Sequence, residues 1–117
     1  MGGLTTHVLD TAHDIPGADM RIDVHRIQAG ARQHLKTITT NANSRSDTPI
    51  PEGDGVTAGQ YEFAFHAAGY LRARGINLPG PAFCDDVVVR FAIASPGEHY
   101  HVPLLVSPYN YSTYRGS

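Results

Sequence analysis

The apolar residues of this chain recur every second position, and almost nowhere at the three-to-four spacing of a helix. Residues 20–27 set Met20, Ile22 and Val24 on one side and Arg21, Asp23 and His25 on the other. Successive side chains of a strand point to opposite faces, so this is an antiparallel strand with one buried face. Residues 60–66 repeat the pattern with Tyr61, Phe63 and Phe65. Residues 86–94 and 99–107 are the two strongest strand signals, parted by a Ser-Pro-Gly-Glu turn at 95–98. Weaker strands are expected at 4–9, at 33–40 and, after Pro108 interrupts, within 109–115. Residues 10–17 carry loop chemistry and 28–30 a turn. The one helix expected is short, at 67–75, with Gly75 placed to cap its C-terminus. Residues 77–82, with two prolines, read as loop.

About seven short strands at close spacing with one short helix point to an all-β sandwich of two antiparallel sheets. The length of 117 residues suits a single domain spanning 1–117 with one core. Hydrophobic residues at 41% against 17% charged exclude a disordered chain. Residues 41–59, rich in Asn, Ser, Asp, Pro and Gly, form the longest irregular stretch, and long loops in small domains are often functional.

Nine Lys and Arg against eleven Asp and Glu leave a net charge of −2, so no basic excess is present to hold nucleic acid or an anionic membrane. No run approaches the length of a membrane span. The first residues lack the pattern of a secretory signal, and the cytoplasm is the expected location. One cysteine excludes a disulfide framework and a cysteine-rich zinc module. Cys84 stands beside Asp85 and Asp86, which oppose thiolate formation, so it reads as structural. Ser112, Thr113 and Ser117 lie in no nucleophile elbow, and no phosphate or dinucleotide loop is present. Asp10, Asp23, Asp85, Asp86 and Glu98 are scattered at turns and strand ends. If the chain is an enzyme, histidine must move the protons, which its near-neutral pKa suits.

Seven histidines are present. In His99-Tyr100-His101 the two imidazoles stand two apart, on one face of a strand, with Tyr100 on the other. With His7 as a third ligand this spacing could hold zinc. For any single histidine, a solvated or merely enclosed ring is the simpler account, and a functional case rests on the cluster. Arg45 follows the turn formers Asn43 and Ser44 and would project from the long loop, where its planar fork suits anions and carbonyls. Alone, such an arginine is ordinarily solvated. The last nine residues hold three tyrosines and end Tyr114-Arg115-Gly116-Ser117. Frayed tails are small and polar, so this end is expected to be tied into the fold.

Thr6-His7-Val8-Leu9-Asp10, Arg45, His99 to Tyr109 with its Val-Pro-Leu-Leu-Val-Ser-Pro core, and Tyr111-Ser112-Thr113-Tyr114-Arg115-Gly116-Ser117 together resemble the transthyretin-related proteins. Within them the set is similar to the 5-hydroxyisourate hydrolases, over nearly the whole chain. The terminal Tyr-Arg-Gly-Ser is its most specific element; Asn43-Ser44 stands where Asp-Gly is common before the arginine.

The resemblance implies a transthyretin-like sandwich of two four-stranded antiparallel sheets with one short helix. It implies a homotetramer with active sites in the channel between pairs of subunits, and no cofactor or metal. The implied reaction hydrolyses a ring amide of 5-hydroxyisourate to 2-oxo-4-hydroxy-4-carboxy-5-ureidoimidazoline, in urate catabolism. Carried over, His7, Arg45, His101 and Ser117 are the expected catalytic residues, with Arg45, Tyr114, Arg115 and Gly116 binding substrate. A neutral imidazole would take the proton of an attacking water, His7 preferred and His101 orienting, while Arg45 would stabilise charge on the attacked carbonyl. Two alternatives compete: a non-catalytic carrier of a small aromatic ligand, whose channel should be apolar, and a metal enzyme built on His7, His99 and His101.

Overall fold

In a computed structural model, residues 3–43 and 57–116 are described. They form eight strands and one helix. These are β1 (Gly3–Asp10), β2 (Ile15–Pro16), β3 (Arg21–Gln28), β4 (Ala31–Thr39) and β5 (Gly59–Phe65), then α1 (Ala67–Ala73), β6 (Val87–Ile93), β7 (His99–Val106) and β8 (Tyr111–Thr113). Two four-stranded sheets pack face to face, in the orders β2-β1-β7-β8 and β4-β3-β5-β6.

The alternation explains the core. From β3 and its approach, Met20, Ile22 and Val24 are wholly buried; from β5, Tyr61, Phe63 and Phe65; from β7, Tyr100, Val102, Leu104 and Val106. β1 buries every second residue, Leu4, Thr6, Val8 and Asp10. Fully burying side chains of this size contributes on the order of 1.5–3 kcal/mol each, which makes this layer the main source of stability.

The expectation of two wholly antiparallel sheets needs one correction. β1 and β7 pair in parallel, from Gly3 opposite His99 to Asp10 opposite Val106. An alternating pattern reports which face is buried and not the direction of a partner. These two strands lie far apart in the chain, so no hairpin ties their directions. Residues 10–17, read as loop, contain the two-residue β2, which pairs with the end of β1. The fourth strand starts two residues earlier than its composition suggests, and its ladder with β3 steps past Leu35 in a bulge.

The helix ends as expected, in a left-handed Gly75 (φ 90°). The Gly75 N–H donates to the Arg72 carbonyl, and the Ile76 N–H donates back to Leu71. That pair of bonds is a Schellman cap, and Ile76 packs on the core behind it.

Among the described residues two acids are buried. Asp10 accepts from the backbone N–H groups of Ala12 and His13, from the Tyr70 hydroxyl at 2.8 Å, and lies 2.6 Å from His13 Nδ1. Burial raises its pKa, but the bonds from His13 and Tyr70 outweigh that, and the net shift is downward. Tyr70, buried and bonded to the same carboxylate, is pushed up to about 12. Glu62 on β5 lies on the outside of its sheet under Arg32 of β4 at 2.7 Å and Arg90 of β6 at 3.1 Å. Cys84 is a buried free thiol. Among the described residues no helix is long and apolar enough to cross a membrane.

Candidate active site

The register of β1 on β7 assembles the site. Parallel partners share a face, so burying Leu4, Thr6, Val8, Tyr100, Val102 and Leu104 turns Thr5, His7, His99 and His101 outward. Thr5 stands opposite His101, and His7 opposite Pro103. The His7 and His101 rings lie 6.4 Å apart between centroids, tilted by 34°. Their proximity comes from two strands ninety-odd residues apart in the chain, each following ordinary alternation.

Pro103 shapes what comes next. It has no N–H to donate, and the ladder with β8 begins only at the following residue, Leu104 opposite Thr113. Thr113 closes this end by donating its hydroxyl to the Pro103 carbonyl at 2.7 Å. The tail then leaves the ladder for two residues and returns at Gly116, whose N–H donates to the His101 carbonyl at 2.7 Å. A Cβ added to Gly116 would lie 2.7 Å from His101 Cδ2 and 3.2 Å from its Cβ. The tail is therefore tied in, as its aromatic composition implies, and only glycine lets it close on this ring.

His7, His101 and Gly116 thus come together. Tyr114 and Arg115 turn elsewhere. The Arg115 guanidinium sits 4.1 Å from the centre of the inward-facing Tyr100 ring and donates to Glu98 Oε1 at 3.0 Å. With Tyr114 it borders a mainly apolar groove of about 240 Å³ at the open edge between the sheets, against Val89, Phe91 and Val102. The expected substrate-binding Arg45 and the expected catalytic Ser117 lie outside the described residues. Among the described residues no three His, Cys, Asp or Glu side chains are placed to hold a metal ion.

Sequence reasoning missed Thr5. Its hydroxyl oxygen lies 2.8 Å from His101 Nδ1 and 3.1 Å from His99 Nε2, between the two rings. The spacing of two between Thr5 and His7 places them on one face, which was a usable signal. That Thr5 meets His101 required the parallel register.

A sandwich of two four-stranded sheets, with paired histidines on one outer face and the C-terminal tail folded onto them, is the transthyretin-like class of fold. The chain belongs to the HIUase/Transthyretin family, whose model matches residues 4–116. It is 52% identical over 117 residues to a 5-hydroxyisourate hydrolase of Pseudomonas aeruginosa, covering all of this chain and 93% of that one. It is 54% identical over 117 residues to that of Ralstonia nicotianae, covering both chains entirely. Among solved structures, the 5-hydroxyisourate hydrolase of Klebsiella pneumoniae superposes with a TM-score of 0.80 at 26% identity, covering both chains in full. An (S)-allantoin synthase superposes with a TM-score of 0.91 at 42% identity, where the match covers 99% of this chain and 44% of that one.

Proposed function

We propose that this chain hydrolyses 5-hydroxyisourate to 2-oxo-4-hydroxy-4-carboxy-5-ureidoimidazoline in urate breakdown, using its own side chains and no cofactor. The observation that carries the reading is the outward His7–His101 pair, 6.4 Å between ring centres, with the tail closed on it at Gly116. That gap suits one water, or one edge of a flat polar ring, lying between two imidazoles. Relatives with 5-hydroxyisourate hydrolase names match over the full chain.

In the mechanism we assign, His7 accepts a proton from water as the water oxygen attacks the ring carbonyl, and His101 orients that water. Arg45 stabilises the negative charge gathering on the carbonyl oxygen, the step at which preorganised donors matter most. The C–N bond then breaks, and the His7 imidazolium returns its proton to the leaving nitrogen. Ser117, Tyr114, Arg115 and the backbone at Gly116 bound the substrate, and Arg115 also holds the tail's path through Tyr100 and Glu98. The enzyme is assigned to the cytoplasm as a single-domain homotetramer. Its site faces outward, so a second subunit would roof it.

Single substitutions test the roles. H7A, R45A and H101A should each slow decay of freshly made 5-hydroxyisourate by roughly 10²–10⁴-fold, the range for losing a positioned acid–base or oxyanion group. Near-normal turnover in any one variant removes that residue from the mechanism.

A further inference from the structure

The Thr5 hydroxyl, between two imidazole nitrogens, is a polar contact on this face that the assigned mechanism leaves unused. A threonine hydroxyl carries one proton. With both rings neutral it can satisfy at most one bare nitrogen, so at least one of the two facing nitrogens must carry a proton and the two histidines cannot choose tautomers independently. Three arrangements meet that condition. His101 Nδ1–H donates to Thr5 and Thr5 donates to His99 Nε2, or both bonds run the other way, or both rings donate to the Thr5 oxygen.

We infer that Thr5 is a positioning residue that holds His101 in its Nδ1–H tautomer, with His99 as the acceptor that fixes the direction. This rests on the hydrolase reading above. To orient water through its lone pair, or to share the proton, His101 must offer Nε2 as an acceptor. The proton then resides on Nδ1, and Nδ1 faces Thr5 at 2.8 Å. Thr5 accepts there, which leaves its own proton for His99 Nε2 at 3.1 Å. His99 is exposed, with its Nδ1 on the Gly3 side of the ring, so its tautomer is not locked by burial and it accommodates the one this demands. Thr5 is anchored by the β1 backbone opposite His101 itself, which fixes the hydroxyl without help from the mobile end of a long side chain. Buried partners that fix a histidine's ring and tautomer act in the same way at metal sites.

The test combines nitrogen-15 NMR of the histidine rings with steady-state kinetics on wild type, T5V and T5S. Wild-type His101, above its titration, should show the proton on Nδ1. T5V, which keeps the shape and removes the hydroxyl, should show a mixture of tautomers and a kcat lowered about 10–100-fold with KM changed by less than about twofold. T5S should restore both the single tautomer and most of kcat. A proton on Nε2 of wild-type His101 overturns the inference without any substitution. So does a T5V protein with wild-type kcat and an unchanged ring spectrum. Wild type inactive on 5-hydroxyisourate, but with the tautomer shift present between wild type and T5V, would overturn the hydrolase reading and support Thr5 as the residue that sets the ring.

Discussion

Gly116 joins the tail to the site by having no side chain. Its N–H reaches the His101 carbonyl only because glycine puts no Cβ into the space that the His101 ring takes. In G116A either the tail lifts or the ring turns. A displacement of about 1 Å in a reacting group can cost on the order of 10²-fold in rate. We expect kcat/KM to fall at least tenfold in G116A while the melting temperature stays within a few degrees, since only a tail contact is lost; steady-state rates and a thermal melt on one preparation check this. At this scale the sequence was legible where strands are regular. His7 and His101 follow from alternation plus the tail motif. Arg115 was not legible in the same way. The chain leaves the ladder after Thr113, period-two reasoning stops there, and nothing local says that the guanidinium settles on Tyr100 and Glu98, with the His99 carbonyl at 3.5 Å.

Between elements, the Asp10–Tyr70 bond fastens the helix α1 to the end of β1. It also gives the fold two pH limits with opposite signs. The folded-state pKa of Asp10 lies below its ordinary value. Its stabilisation is therefore full above about pH 4 and is lost as pH falls through the lowered value. The Tyr70 pKa is raised from 10.0 to about 12. Its stabilisation is full below pH 10 and is lost as pH climbs toward 12. Denaturant midpoints measured across pH should fall at both ends. Y70F should lower stability by about 2 kcal/mol, the loss of a hydrogen bond to a charged group, and abolish the Tyr70 share of the alkaline limb. An unchanged midpoint in Y70F would show that the bond holds nothing. The existence of most strands was legible from alternation and turn residues, and the helix from its glycine cap. Partner and direction were not. Nothing local in β1 says that it runs parallel to β7, and the two-residue β2 is too short to leave a periodic trace. Asp10 itself looked like a turn acid, because its four side-chain and backbone donors come together only when β1, the following turn and α1 are assembled.

At the scale of the whole molecule, the outer face of β1 and β7 is the question. Leu9 and Leu105 remain partly exposed there beside His7 and His101, and Tyr109, Tyr111 and Tyr114 are exposed along the same end of the chain. With the proposed catalytic side chains on the outside of a sheet, a second surface is needed to exclude water, and the proposed homotetramer would supply it. Sedimentation should give about four times the 12.6 kDa chain mass, and specific activity should fall on dilution as subunits part. A monomer with full activity at every dilution would contradict the assignment. The fold class and the family were legible at this scale because core alternation and terminal motif point the same way. The placement of Arg45 was not, because it falls in the long polar stretch where neither periodicity nor the described structure reaches.

The most direct measurement is the ultraviolet decay of 5-hydroxyisourate, made fresh from urate with urate oxidase, in buffer, with this protein, and with this protein and a chelator. Decay well above the spontaneous rate is expected, unaffected by chelator and nearly abolished in H7A. Decay at the spontaneous rate with folded protein would contradict it, as would an activity that the chelator removes.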